Sequence, residues 1–512
     1  RAQVYRPAPA PVQGFRCYPP PMHRPLLAPA LLLAACGGGS IDTPDEPTTG
    51  VPETLGRVPV VLVVFDALDA EHIGHLGYER DTTPNLDAFA AEAVSFRTSF
   101  APAPYTIAGM ASLVTGKLPD RHGVVSKEVR LREDERTLAE ILSAAGYPTH
   151  AVVGNPNGGD SFGALDGFDD FVPLYLASEE HPVNFTDPAT GTELHLPKAE
   201  EFAPLLGRFL DGLEDPTAPW FFHGHLLEPH SPYVAPDPWR EMFLDPAYDG
   251  PFRAGDDATL IGSIHGDVEV TAADAEAVVA LYDGNLAYGD HGFGMMMDEL
   301  KQRGVYEDAL IIVTADHGEA MFQHGTWGHN YTLFDEMVQV PLLVRFPGGN
   351  DDGRPRGVLR DELTSIMDVL PSVCQWLDLA PPELLDGRSL ASLLAGTEPS
   401  SAFDDRFVHL RTNSTPPWLA LRTRDQKVVL VRGLDKTTGE PLAERTAFYD
   451  LGVDPSESKD LGASGDPRVE AARSLLDAEI EALRAAFQGV QSATFSEEEA
   501  AMMGALGYTD DD

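Results

Sequence analysis

Two apolar runs, far apart in the chain, each end in an aspartate. Val60-Val61-Leu62-Val63-Val64-Phe65 leads into Asp66, and Leu310-Ile311-Ile312-Val313-Thr314-Ala315 leads into Asp316-His317-Gly318-Glu319. Short, unbroken runs rich in β-branched residues predict strands buried on both faces, as in a parallel sheet covered by helices. In such sheets ligands bind beyond the carboxyl ends of the strands. Asp66 and Asp316 are therefore predicted to meet at one rim, where they can share a metal ion with His317. Between them, Tyr105-Thr106 precedes the helical pattern of residues 107–113, a helix start suited to an anion or a nucleophile. Two acids, an imidazole and a hydroxyl at one sheet edge predict metal-assisted attack on an anionic ester. The competing reading is local: a strand-end Asp is often a turn residue, and Thr106 would serve equally as a plain helix cap.

At 512 residues the chain has room for a large α/β domain and a smaller one. Its net charge of −45 excludes nucleic acid as a partner, because phosphate backbones are held by basic faces. An anionic substrate must overcome the same field through local cations. Near the N-terminus, Met22-His23-Arg24 is followed by a short apolar run, residues 25–33, and then Leu33-Ala34-Ala35-Cys36. A basic start, a short apolar stretch and small residues before a cysteine make a secretion signal of the bacterial lipoprotein kind. Residues 1–36 are thus read as upstream sequence plus leader, with Met22 the true start. Cys36 is the expected lipid anchor, placing the protein on the periplasmic or outer face of a bacterial envelope. Cys17 leaves with the leader and Cys374, in an apolar helical stretch, is expected to be a buried thiol, so no disulfide is expected.

Residues 37–57, rich in Gly, Pro, Thr and Asp, suit a flexible tether. Strand patterns at 58–65, 149–154, 219–226, 309–315 and 338–346 alternate with helical patterns at 84–94, 107–115, 135–145, 199–213, 271–302 and 362–378. This gives an α/β catalytic domain over residues 58–385, a large, mostly parallel sheet sandwiched by helices. Residues 178–270, dense in Pro, Asp and Gly, suit substrate-facing loops. From 386 to 512 the pattern changes to a smaller subdomain. Short antiparallel strands are expected at 407–411, 419–424 and 427–432, the last two joined at Asp425-Gln426, with a helix at 467–487. His72, His75 and His291 are expected to cap helices or face solvent, and Ser496 with Glu499 forms a capping box.

Several separated motifs resemble the sulfatases, within the alkaline phosphatase superfamily. Thr82-Thr83-Pro84-Asn85-Leu86-Asp87 is similar to T-x-P-N-L-D, and residues 113–123 to L-x-T-G-x-x-P-x-R-H-G. Glu228-Pro229-His230-Ser231-Pro232-Tyr233 resembles D-P-H-x-P-Y. Asp316-His317-Gly318-Glu319, His324-Gly325 and Trp327-Gly328-His329 resemble D-H-G-E, H-G and W-G-H/K. Phe448-Tyr449-Asp450-Leu451 with Asp454-Pro455-Ser456-Glu457 is similar to the family's L-Y-D-L-x-x-D-P-x-E.

The resemblance implies a hydrolase of sulfate or phosphate esters with one divalent metal, calcium by family habit, held by Asp66, Asp316 and His317 with Thr106. His317 in place of Asn, and Ala67 in place of a second acid, shift that preference toward zinc or manganese. The family's C/S-x-P-x-R becomes Thr106-Ile107-Ala108-Gly109-Met110, and a secondary alcohol cannot yield formylglycine by the same oxidation. Thr106 is instead expected to attack directly once its proton is withdrawn. His230 and His329 are expected to contact the anion or protonate the leaving oxygen. The family's G-K-W-H-L-G corresponds to residues 154–159, where Asn155 and Asn157 replace Lys and His. Two alternatives accompany this reading: a phosphoethanolamine-type transferase, and a non-catalytic protein that keeps the fold and the anion pocket.

Overall fold

The run ending in Asp66 becomes the strand Val60–Asp66 (β1) at the centre of an eight-stranded sheet. The computed structural model describes residues 51–186, 191–348, 354–434, 441–486, 489, 491–493 and 496–506. The other strands of this sheet are Val94–Phe96 (β2), Thr149–Val153 (β3), Asp170–Pro173 (β4), Phe221–Pro229 (β5), Leu310–Ala315 (β6), Leu342–Arg345 (β7) and Val358–Arg360 (β8). Their order is β8-β2-β7-β6-β1-β5-β3-β4. All pairings are parallel except β6 with β7 and β7 with β2. β1, β5 and β6 are buried along their whole length, as unbroken apolar runs require.

The principal covering helices are Thr106–Thr115 (α1), Phe202–Asp211 (α2) and Ala272–Gln302 (α3). Every residue of α1 is buried, and Gly116 ends it at φ 68°. At Gly109 the helix passes so close to the sheet rim that a Cβ would lie 2.3 Å from the Asp316 carbonyl oxygen. Glycine at this position is what lets the helix carrying Thr106 sit against the end of β6.

A second sheet is antiparallel throughout: Phe407–Arg411 (β9), Leu419–Thr423 (β10), Gln426–Val431 (β11) and Arg445–Asp450 (β12). Helix Pro467–Ala486 (α4) covers one face through Leu476 and Ile480. The other face packs on Phe100, Leu333, Met337 and Val338. Within that contact Lys427, fully buried, meets Asp335 at 2.6 Å and Glu457 at 2.7 Å.

Several expectations are corrected. The helical pattern at 362–378 holds a short strand and a 3₁₀ turn before the helix Val369–Trp376, and the pattern at 84–94 yields to β2 after Ala90. The expected tether ends earlier than residue 57: Val51 is buried and the Leu55 amide donates to the Trp376 carbonyl. His72 neither caps a helix nor faces solvent; it is buried with Nδ1 2.7 Å from Asp283 Oδ1. The fourth small-sheet strand, β12, was hidden within a segment read only as a motif. Cys36 and its leader lie outside the described residues. Among the described residues no helix is long and apolar enough to cross a membrane.

Candidate metal centre and nucleophile

Where β1 ends, its register against β5 shifts between Phe65 and Asp66: Phe65 pairs with Leu226 and Asp66 with Pro229, so Leu227 and Glu228 bulge from β5 beside Asp66. Ala67 follows at φ 62°, a left-handed conformation rare for a residue with a Cβ. It is held by its carbonyl, which accepts from Tyr282 Oη at 2.8 Å, and by its amide, which donates to Asp316 Oδ1 at 3.2 Å. Asp316 Oδ1 also accepts from the His317 amide at 2.9 Å. These bonds aim the other oxygen, Oδ2, toward Asp66 and His317. The ligand atoms of Asp66, Asp316 and His317 lie within 4.8 Å of one another, and all three residues are fully buried.

Thr106 is the first residue of α1. Tyr105 occupies the cap position and no side chain caps this helix, so the cap role considered for Thr106 does not hold. Its Oγ1 lies 3.2 Å from His317 Nε2 and also reaches Asp66. His317 Nδ1 is 2.8 Å from the Gly318 carbonyl, which can only accept, so Nδ1 carries the hydrogen and Nε2 presents its lone pair to the cluster. Asp66 Oδ1 and Asp316 Oδ2 are buried without a hydrogen-bond partner among the described residues. Buried, acceptor-rich and short of hydrogens, the cluster calls for positive charge, and its mixed O and N donors fit a divalent cation.

The electrostatics agree. Burial, followed by the charge of Asp316, holds the Asp66 carboxyl well above its usual range. Burial also pushes Asp316 upward, but His317, then His225 and the Ala67 amide, outweigh it and leave the group below the usual range. Burial lowers His317 and His329 to about 4 and His230 to about 3, so the three rings are neutral near pH 7. His329 stands over His317 with ring centroids 4.4 Å apart, and His230 lies 5.0 Å from His329. His329 Nδ1 is 2.9 Å from Glu319 Oε1, and burial raises Glu319 to about 7.

All six residues singled out in the sequence, Asp66, Thr106, His230, Asp316, His317 and His329, thus come together at one rim. Two further residues join them. Asn155 Nδ2 donates to Asp66 Oδ2 at 2.6 Å. His225 Nε2 lies 3.8 Å from Asp66 and 3.7 Å from Asp316. The available signal was positional: Asn155 follows the end of β3, and His225 is one of two histidines, with His223, inside the buried strand β5. Asp283 and Asp290 stay out of the site; Asp283 takes Arg80 and Tyr78, and Asp290 takes the amides of Asn85 and Leu86.

Residues 59–379 match the family model of the sulfatases. An arylsulfatase of Clostridium perfringens is 24% identical over 468 residues, covering 82% of this chain and 94% of that protein. A multifunctional alkaline phosphatase superfamily protein of Trinickia caryophylli is 27% identical over 489 residues, with coverages of 81% and 92%. Among solved structures, the phosphonate monoester hydrolase of Agrobacterium radiobacter superposes with a TM-score of 0.64 at 24% identity, covering 84% of this chain and 96% of that one.

Proposed function

The chain belongs to the sulfatase family, and from that premise we propose that it is a metal-dependent hydrolase of sulfate or phosphate esters with Thr106 as nucleophile. One observation carries the reading. Asp66, Asp316 and His317 converge within 4.8 Å while Thr106 Oγ1 sits 3.2 Å from His317 Nε2. An arylsulfatase among the relatives supports an anionic ester as substrate.

Asp66, Asp316 and His317 would hold the ion beside Thr106. When bound, it supplies the positive charge that acidifies the hydroxyl and neutralises the transferred group. The remaining steps belong to the chain. Thr106 Oγ bonds to sulfur or phosphorus as the alcohol oxygen departs, and water then cleaves the threonine ester. The first amides of α1 lack intrahelical partners and face the developing charge on a non-bridging oxygen. His230 and His329 are neutral when the site is empty of anion; an anion beside them favours the protonated ring, which can then deliver its proton to the leaving oxygen. The leader supports an envelope location through lipidated Cys36.

A binding role is favoured by one feature. Met110, at the place of the motif's arginine, is fully buried in the apolar core and offers an anion nothing. The test is turnover of aryl sulfate, phosphate monoester, phosphate diester and phosphonate monoester with zinc, manganese or calcium, wild type beside Thr106→Ala. Turnover lost in the variant supports the hydrolase. Bound metal with no turnover of any ester in the wild type replaces it with the binding protein.

A further inference from the structure

His181, His195 and Glu201 make a second group of metal-ligating side chains. A two-stranded hairpin pairs Phe185–Thr186 with Glu193–Leu194, and its base is tied by Asn184, whose Nδ2 donates to the Leu196 carbonyl at 2.9 Å. His181 precedes the first strand, His195 follows the second, and Glu201 ends the 3₁₀ turn that leads into α2. Their ligand atoms lie within 4.8 Å of one another. His181 Nδ1 is 3.1 Å from Glu201 Oε1, and His195 Nε2 is 3.1 Å from Glu201 Oε2.

The hydrogen positions decide what this group needs. His195 Nδ1 is 2.9 Å from the Pro182 carbonyl, an acceptor only, so the ring hydrogen is on Nδ1. Its Nε2 meets a carboxylate oxygen at 3.1 Å, a gap that either a proton or a cation can bridge. The Lys198 amide donates to the same Glu201 oxygen at 2.9 Å, fixing the carboxylate as the Pro182 carbonyl fixes the imidazole. Supporting bonds of this kind are what orient ligands around a metal.

We propose that His181, His195 and Glu201 form a second divalent-cation site, of zinc-type preference, that clips the hairpin base to the start of α2. Two imidazoles and one carboxylate are a zinc donor set with one position left for solvent. The partial exposure of His181 (14%) and Glu201 (20%) leaves that position open to water. Ligand atoms on one tetrahedral zinc stand roughly 3.3 Å apart, so the group needs little movement to receive the ion. The group shares no residue with the one beside Thr106.

The test uses the full chain, stripped with chelator and re-equilibrated with zinc chloride, and reads zinc per chain and trypsin cleavage after the exposed Lys198. Relative to wild type, His181→Gln and Glu201→Gln each lose one zinc per chain. At zinc ten times the dissociation constant, cleavage after Lys198 slows about tenfold in wild type and is unchanged in both variants. Asp316→Asn, at the other site, keeps this protection, so failure of either site is read separately. Unaltered zinc content in both hairpin variants, or wild-type cleavage indifferent to zinc, would overturn the proposal and leave a proton between His195 and Glu201.

Discussion

Glu228 is the next-to-last residue of the buried strand β5, two residues before His230, and its carboxyl is held uncharged by its surroundings. The side chain is 5% exposed, and its Oε2 has no partner among the described residues. Burial raises its pKa to about 8, against which only its own amide and that of Ala199 act. An unfolded chain titrates this group near 4.3, so the folded state favours the protonated form and its contribution is complete below about pH 4.3. Between there and about pH 8 the unfolded state gives up a proton that the folded state keeps. Stability then falls as pH rises, by about 1.4 kcal/mol per unit. Glu228→Gln keeps the carbonyl that accepts the two amides and removes the titration. Relative to wild type, it should gain about 2.7 kcal/mol between pH 5 and pH 7. At the usual unfolding entropy per residue, a chain of this size converts that to about 3 °C in Tm. Thermal scans of both proteins at pH 5, 6 and 7 give the difference directly. A Tm offset that stays constant across this range would refute a neutral Glu228.

Three further perturbations probe the site and its support. Gly109→Ala places a Cβ against the Asp316 carbonyl at 2.3 Å; about 1–3 kcal/mol of stability should be lost, and kcat should drop about a hundredfold as Thr106 is displaced, measured by thermal unfolding and ester turnover. Asn155→Ala removes the 2.6 Å bond to Asp66 and should weaken metal binding about tenfold to a hundredfold in a competition titration. Lys427→Met leaves Asp335 and Glu457 buried without their shared cation and should cost about 3–5 kcal/mol in denaturant unfolding.

The strands that build the site were legible because β1 and β6 are buried on both faces, so their sequences read as unbroken apolar runs ending in acids. The parallel topology then required Asp66 and Asp316 to share a rim, and the helix pattern after Thr106 brought the hydroxyl there. Strands β2 and β8 were not legible: each has three residues, too few for periodicity to register. Asn155 and His225 act through contacts across strands, which depend on register rather than on local pattern. His72 was misjudged because its partner Asp283 is supplied by α3, far along the chain. The left-handed turn at Ala67 also escaped notice, since nothing in alanine announces it.

The most direct measurement is rapid quenching of the metal-loaded protein with its best ester substrate, followed by mass spectrometry of the peptide that contains Thr106. The proposed mechanism requires a sulfuryl or phosphoryl adduct on Thr106 that forms and decays at the rate of turnover, and that is absent in Thr106→Ala together with the activity. Turnover that survives in Thr106→Ala would contradict it, because the attacking oxygen would then come from water.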